Sequence, residues 1–477
     1  MSAAPPPNAT GLAVPADRLA AYLAGRRWSG ARGGELHVLG GGSAGVVFHE
    51  PSVQLFVERV RVDGGAPYEL LMPLVVRPVT HADVPPAADR LADDGGTAVF
   101  DATFDAEFRL RLLDALRGAA AFAGDAVVAR APDPDAIPSV RTSRVGTVEQ
   151  SNTSIVYDGA IILKLFRRVE VGENPDVEIG RFLTERGFAH VPRLYGTVTL
   201  RRAGGEATIA MAQALVPGAE DAWAYAVRAA GDALGGRADA AAYAAEAGRL
   251  GAVTRALHDA LAGDAAHADF APEPARLDDV RRWAAGAHAA YDAMHVAADA
   301  AGTRLPGAVL DRAGALAPVD AAAAEAGDDA GTAIRHHGDY HLGQVLRAAD
   351  GRLFVVDFEG EPARPLAERR RKHSPLRDVA GMLRSFAYAA AFAARERATD
   401  AAHGAAWERA ARDAFVAAYF GPGPAPYLPR ARAHADALVR LFELEKLFYE
   451  LRYELQNRPD WVGIPLAGLA RLAAPAL

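Results

Sequence analysis

The chain has 477 residues, with 52 Lys+Arg against 60 Asp+Glu, a formal charge of −8 and no cysteine. At roughly 100–200 residues per domain, this length suggests two to four domains or lobes. The missing cysteines exclude disulfides, Cys-ligated zinc, iron–sulfur clusters and thiol catalysis, and the acidic balance argues against a broad nucleic-acid footprint.

Hydrophobic residues make up 51% and charged residues 23%, a globular rather than disordered composition. No apolar run approaches the ~20 residues of a membrane span. Residues 1–14 lack the basic start and apolar core of a signal peptide, so the expectation is a cytoplasmic protein that binds neither membrane nor nucleic acid.

Residues 1–17 are small and Pro-rich. Asp17 then precedes an apolar stripe at Leu19, Tyr22 and Leu23, which predicts a short helix with Asp17 as its N-cap. Gly-rich turns separate strand-like runs at 35–39, 53–62 and 68–76, predicting a small mixed α/β module that ends near residue 98.

The pattern sharpens from 140 to 216. Residues 140–148 read as a strand and Gln150-Ser151-Asn152-Thr153 as a polar loop. Runs at 155–157 and 160–166 read as two strands joined by Asp158-Gly159, a strong two-residue hairpin signal. Asn174-Pro175-Asp176 opens a helix carrying Glu178, Phe182 and Leu183. Two more strands, 196–200 and 207–213, flank Gly204-Gly205. The expected result is an antiparallel sheet of about five strands with one helix after the third.

The Ala-, Gly-, Arg- and Asp-rich stretch from 218 to 335 reads as helix surface, Ala being the best helix former. Residues 336–341 have loop character. A strand starting at 344–346 turns at Asp350-Gly351 and returns through 353–356 into Asp357. The remainder is predicted helical.

Lys164 interrupts the apolar strand 161–166, where a lysine must snorkel, face solvent or meet an anion. Glu178, fourteen residues later, offers a carboxylate. Asp339 sits in a loop leading into a strand, and Gln344 presents a hard amide oxygen suited to Mg²⁺. The hairpin can return Asp357 to their neighbourhood, completing the set that phosphoryl transfer needs: one carboxylate for the acceptor hydroxyl, another carboxylate and an amide for the metal. A zinc site on His337 and His341 competes, but Gly338 and Gly343 break the helix that this i,i+4 spacing would require.

HxDxxxxQ followed by a hairpin and DFE resembles the catalytic and metal loops of the aminoglycoside-phosphotransferase and protein-kinase-like superfamily. Further blocks narrow the resemblance: VEQSNTS at 148–154, LKLFRR at 163–168, ENPDVE at 173–178, HGDYHLGQVL at 337–346, VDFEGEP at 356–362, ERRRKHSPLRDVAGMLRSF at 368–386, and YELRYELQNRPDWVGIPL at 449–466. Together they are similar to the bacterial maltokinases over most of 140–466, and Arg26-Arg27-Trp28 resembles the opening of their N-terminal cap.

The resemblance implies a bilobal, protein-kinase-like α/β (α+β) fold with a cap at 1–98, an antiparallel-sheet nucleotide lobe at 99–216, and a mostly helical lobe at 217–477. It makes Lys164, backed by Glu178, the phosphate-binding cation, and Gln150, Ser151, Asn152, Thr153 and Ser154 the phosphate-covering loop. Met211, Gln213 and Leu215 become the adenine hinge, Asp339 the catalytic base, and Gln344 and Asp357 the Mg²⁺ ligands of an ATP-dependent enzyme. The implied reaction is phosphorylation of maltose to maltose 1-phosphate for α-glucan or glycogen synthesis. Association with a trehalose-to-maltose isomerase goes with it. The alternatives are a kinase of glucosamine or glucose on the same scaffold, and a silent nucleotide- or sugar-binding protein.

In the last long helix Leu441, Leu444, Phe448, Leu451 and Leu455 form a core-facing stripe. Glu445, Tyr449 and Tyr453 fall on another face and suit sugar contact, with His337, Tyr340, Glu361 and Arg377 as further candidates. The basic run 369–372 reads as a solvated turn.

Overall fold

The structure, a computed structural model, describes residues 14–31, 34–146, 151–361, 364–399 and 404–473. It divides into two compact units, one of Met1–Thr184 with Pro192–Pro217, the other of Glu185–Val191 with Gly218–Leu477.

The first unit begins with α1 (Ala16–Ala24), which buries the predicted stripe Leu19, Tyr22 and Leu23. Its N-cap is Pro15 rather than Asp17, which stands in the first turn, where a carboxylate complements the positive end of the helix. Strands β1 (Leu36–Phe48), β2 (Val53–Val62), β3 (Tyr68–Pro78), β4 (Arg90–Asp93) and β5 (Thr97–Asp101) form an antiparallel sheet in the order β1-β2-β3-β5-β4.

Two outcomes differ from expectation. β1 runs straight through Gly40-Gly41-Gly42, because register shifts at Gly40 and Gly45, with φ of 116° and 128°, let the strand bend without stopping. β5 also crosses residue 98, where the sequence suggests that the module ends.

After α2 (Ala106–Leu116) comes a second sheet of β6 (Val127–Arg130), β7 (Ser143–Val145), β8 (Asn152–Tyr157), β9 (Ile161–Phe166), β10 (Leu194–Arg202) and β11 (Gly205–Ala214). Among the described residues it has six strands, against about five expected, all antiparallel, in the order β6-β10-β11-β9-β8-β7. Helix α3 (Pro175–Glu185) follows β9, as read from Asn174-Pro175. The β8–β9 hairpin turns at Asp158 and Gly159 with φ of 45° and 69°, the left-handed pair that Asp-Gly accommodates.

The two sheets share one core: Val53, Leu55, Val75 and Phe100 cluster with Ile155, Leu163, Leu165 and Val198. A buried cation joins them. Arg167, just past β9, pairs with Asp101 at 2.7 Å, both side chains being 1% exposed or less. Arg167 Nε donates to Thr153 Oγ1 (2.8 Å), and its guanidinium lies 4.4 Å from the Trp28 ring. Its backbone carbonyl accepts from Leu71 N–H (2.7 Å), so the first sheet's β3 is tied to the end of β9 by main chain as well.

The second unit is helical: α4 (Ala222–Leu234), α5 (Ala244–Ala262), α6 (Leu277–Ala300), α7 (Gly307–Leu310), α8 (Arg312–Ala326), α9 (Leu366–Arg369), α10 (Leu376–Glu396), α11 (Ala405–Tyr419), α12 (Arg432–Asn457) and α13 (Gly463–Ala473). Small sheets of β12 (Glu220–Asp221), β15 (Val345–Arg347) and β16 (Leu353–Val355), and of β13 (Glu273–Pro274) with β14 (Thr332–Ala333), lie within it.

The predicted stripe of α12, Leu441 to Leu455, is buried, and the helix packs on α6, α8 and α10. Several alanines expected on helix surfaces are instead fully buried, among them Ala226, Ala230 and Ala247. No helix among the described residues is long and apolar enough to cross a membrane.

Removing Asp101 strands the Arg167 charge in the shared core, and uncompensated buried charge costs about 3–5 kcal/mol. Asp101→Ala is therefore expected to lower the urea midpoint strongly. Asp133→Ala, which breaks the exposed pair with Arg193 (52% and 56% exposed), is expected to shift stability by less than about 1 kcal/mol. Equal shifts in the two variants would contradict the role assigned to Arg167.

Candidate active site

In the first unit, strand register decides which side chains share a surface. Lys164 pairs with Ser154 on one side and Met211 on the other, while Asn152 faces Phe166 and Gln213 faces Ile162. Side chains alternate between faces, so Asn152, Ser154, Lys164, Met211 and Gln213 share one face. Thr153 is on the opposite face, against Arg167.

The polar segment read as a loop is thus mostly strand: Ser151 lies in a bend, Asn152–Ser154 belong to β8, and Gln150 lies outside the described residues. β11 is an interior strand, so the backbone groups of Met211 and Gln213 belong to its ladders with β9 and β10. Leu215 N–H donates to Ala160 O (2.9 Å).

Lys164 Nζ lies 2.7 Å from Asp176 Oδ2, with the side chains 10% and 3% exposed. The sequence pointed to Glu178, two residues further along α3 and buried there. Asn174 Oδ1 accepts from Asp176 N–H (2.9 Å), fixing the first turn so that Asp176 meets the strand lysine.

In the second unit the loop before β15 is organised by Asp378, buried in the first turn of α10. Its carboxylate accepts from His337 N–H (2.7 Å) and Gly338 N–H (3.0 Å), and lies 3.2 Å from His258 Nε2. Burial alone would raise the Asp378 pKa, but the neighbouring His336, His258 and His337 hold it well below the usual carboxylate range. Gly338 has φ of 83°, a left-handed turn that suits glycine.

His337 is itself buried. Its Nδ1 accepts from Asp339 N–H (3.4 Å) and its Nε2 lies 3.0 Å from Val356 O, linking the loop to the hairpin. It positions this loop and is not the sugar contact expected. Tyr340 is buried too, its hydroxyl 3.0 Å from Thr254 Oγ1, so it packs on α5 instead of meeting a sugar.

Asp339 Oδ1 lies 3.3 Å from Lys446 Nζ of α12, and Oδ2 is 4.0 Å from His341 Nε2. Burial pushes the Asp339 carboxyl up, but Lys446, with the smaller influence of His341 and His337, brings it below its ordinary value.

The β15–β16 hairpin pairs Val345 with Val355 and Arg347 with Leu353. It returns Asp357 to Gln344, whose Nε2 donates to Asp357 Oδ2 at 3.1 Å. Asp357 adopts φ of 70°, a left-handed conformation that Asp tolerates better than most residues. The amide and carboxylate are hard oxygen donors held side by side, a set that fits Mg²⁺.

A cavity of about 220 Å³ next to this loop gathers Glu361, Arg377 and Glu445, three of the expected sugar residues, with Trp283, His336 and Gly338. Arg377 clasps Glu445 through two bonds of 2.8 and 3.0 Å. The basic run 369–372, read as a solvated turn, contributes Arg369, Arg371 and Lys372 to the cavity wall.

Tyr449 does not line the cavity, but its ring is 5.0 Å from Lys446 Nζ. Tyr453, a further turn along, has Arg458 over its ring at 5.3 Å and also lies outside the lining. Asp176, Asp378 and Lys446 escaped the sequence reading. Asp378 stood unremarked in a motif block, and Lys446 adjoined the Glu445 face.

No protein-family model matches the chain. The glucosamine kinase of Mycolicibacterium smegmatis is 33% identical over 337 residues, covering 70% of this chain and 80% of that protein. The glucosamine kinase of Streptacidiphilus jiangxiensis is 32% identical over 336 residues, 68% and 72% of the two chains. A solved glucosamine kinase superposes with a TM-score of 0.63 at 24% identity, over 98% of this chain and 95% of that one. Another, in complex with glucosamine, ADP and inorganic phosphate, gives 0.62 at 25% identity over 95% and 98%.

The fold is the mixed α/β, protein-kinase-like bilobal fold, with antiparallel N-terminal sheets and a largely helical C-terminal part. The chain belongs to the glucosamine-kinase family.

Burial lowers the His336 pKa to about 4 and sends His373 well below its usual value. An unfolded histidine titrates near 6.5, so between pH 6.5 and about 4 the unfolded chain takes up protons that the native state refuses. Stability contributed by the two neutral imidazoles is complete above pH 6.5 and is lost as pH falls through that window. His336→Gln is expected to reduce the slope of unfolding free energy against pH there by one proton. An unchanged slope would show that His336 titrates normally.

Proposed function

We propose that the protein is an ATP- and Mg²⁺-dependent kinase that phosphorylates a hydroxyl of a monosaccharide, with glucosamine the favoured acceptor. The observation that carries this reading is the loop–hairpin assembly holding Asp339 with its cation and Gln344 with Asp357, a full acceptor-and-metal set. Two glucosamine kinases among the relatives favour the amino-sugar alternative over maltose. The glycogen role and the isomerase partner belonged to the maltose reading and are not carried forward.

In this mechanism Asp339 Oδ2 accepts the proton of the acceptor hydroxyl. The hydroxyl oxygen bonds to the γ-phosphorus while the bond to the β–γ bridging oxygen breaks, and ADP leaves. Lys164, held by Asp176, supplies fixed positive charge to the nucleotide phosphates, and Ser154 on the same strand face offers a hydroxyl. Gln344 Oε1 and Asp357 would hold Mg²⁺, which when bound offsets charge on the β- and γ-phosphates. Because so little covalent chemistry is asked of the protein, positioning and electrostatics carry the rate.

The test is ADP release with glucosamine, glucose, maltose and kanamycin. Selective turnover with glucosamine is expected, and Asp339→Asn should lower kcat by about 10²–10⁴-fold with an unchanged melting temperature. Selective turnover of maltose would reinstate the maltokinase assignment. Tight nucleotide binding with no turnover of any sugar would favour a binding protein.

A further inference from the structure

We infer that Lys446 is a positioning residue for the base: its ammonium anchors Asp339 Oδ1 and leaves Oδ2 as the oxygen that takes the acceptor proton. This rests on the reading of Asp339 as the base. It assigns a role to a residue on the penultimate helix, 107 positions from its partner.

Lys446 is suited to the task because α12 has little freedom to move. The residues around it are buried, among them Leu444, Leu447 and Phe448. Three ion pairs fix the same stretch: Glu443 with Arg412 at 2.8 Å, Glu445 with Arg377 at 2.8 Å, and Glu450 with Arg384 at 2.9 Å. Rotation or sliding of the helix would break all three at once. Lys446 and Tyr449 are the half-buried residues within this stretch, and the Lys446 side chain, 30% exposed, reaches the loop at Asp339.

A carboxylate turns easily about its last torsion, which is broad and nearly two-fold. Among the described residues, His341 Nε2 stands 4.0 Å from Asp339 Oδ2, beyond hydrogen-bond distance. Anchoring Oδ1 therefore sets which oxygen faces the incoming hydroxyl.

The charged and titratable groups facing Asp339 are Lys446, His341 and His337, and those facing Lys446 are Asp339, Glu361, Tyr449 and Glu450. Burial keeps His341 below its usual range, so Lys446 is the standing positive charge at the base near neutral pH. It lowers the basicity of Asp339. That cost is small in a loose phosphoryl-transfer transition state, where proton removal matters less than alignment.

The experiment compares Lys446→Met and Lys446→Arg in the full chain with wild type and Asp339→Asn. It measures kcat, KM for ATP and for the sugar, the pH profile of kcat, and ADP binding by titration. Lys446→Met is expected to lose about 10–100-fold in kcat, to keep ADP affinity and KM for ATP within about twofold, and to move the acid limb of kcat to higher pH. The limb rises because Asp339, without its cation, protonates more readily. Lys446→Arg should restore most of the rate and return the limb towards wild type.

A Lys446→Met enzyme that keeps kcat within about threefold, or loses kcat with an unmoved acid limb, overturns the inference. So does a loss confined to KM for the sugar. Turnover that survives Asp339→Asn would instead overturn the functional reading itself, so the two failures are separable.

Discussion

The chemistry of the second unit hangs on one buried carboxylate. The backbone of the loop turns left-handed at Gly338, so the N–H groups of His337 and Gly338 have no place in a helix or sheet ladder, and a buried unpaired N–H is costly. Asp378 accepts both. A carboxylate makes shorter and stronger bonds to such donors than a neutral acceptor would, which offsets its own desolvation. The connection continues outward: His337 reaches Val356 O at the end of the hairpin, and the hairpin delivers Asp357 to Gln344. The proposed base and metal ligands are thus referred to the start of α10 rather than to each other alone.

Buried ion pairs recur wherever geometry must be held. Arg167 with Asp101 ties two sheets into a common core in the first unit, and the Arg–Glu pairs along α12 lock that helix in the second. Such pairs contribute little net stability against well-packed apolar substitutes, but each tolerates only one register. At α12 the result is a helix with a different duty on each face. The leucine stripe is buried in the core, Glu445 lines the cavity, and Lys446 stands at Asp339.

Local signals in the sequence proved dependable where local physics sets the outcome. Asp158-Gly159 turned its hairpin through left-handed torsions at both residues, and Asp350-Gly351 through one at Gly351, where glycine carries no steric cost. Asn174-Pro175 opened α3 through its own side-chain cap, and the leucine stripe of α12 followed helical periodicity. The reading failed where tertiary context overrode propensity. Gly40-Gly41-Gly42 became strand because neighbours on β2 supplied the ladder. Asn152–Ser154 became strand because β9 lay beside them. His337 and Tyr340, polar and next to the base, turned inward to satisfy bonds on Val356 and Thr254.

The sequence by itself determined the kinase-like class and singled out the proposed base and metal ligands, since motif spacing and turn chemistry are properties of a few adjacent residues. Only the tertiary structure decided which charge meets which. Lys164 meets Asp176, His337 and Gly338 find Asp378 some 41 and 40 residues away, and Asp339 finds Lys446. A lone lysine or aspartate has many potential partners along a chain of this length. Burial selects among them, because an ion taken out of water must be paired by whatever the packing of distant elements brings alongside it.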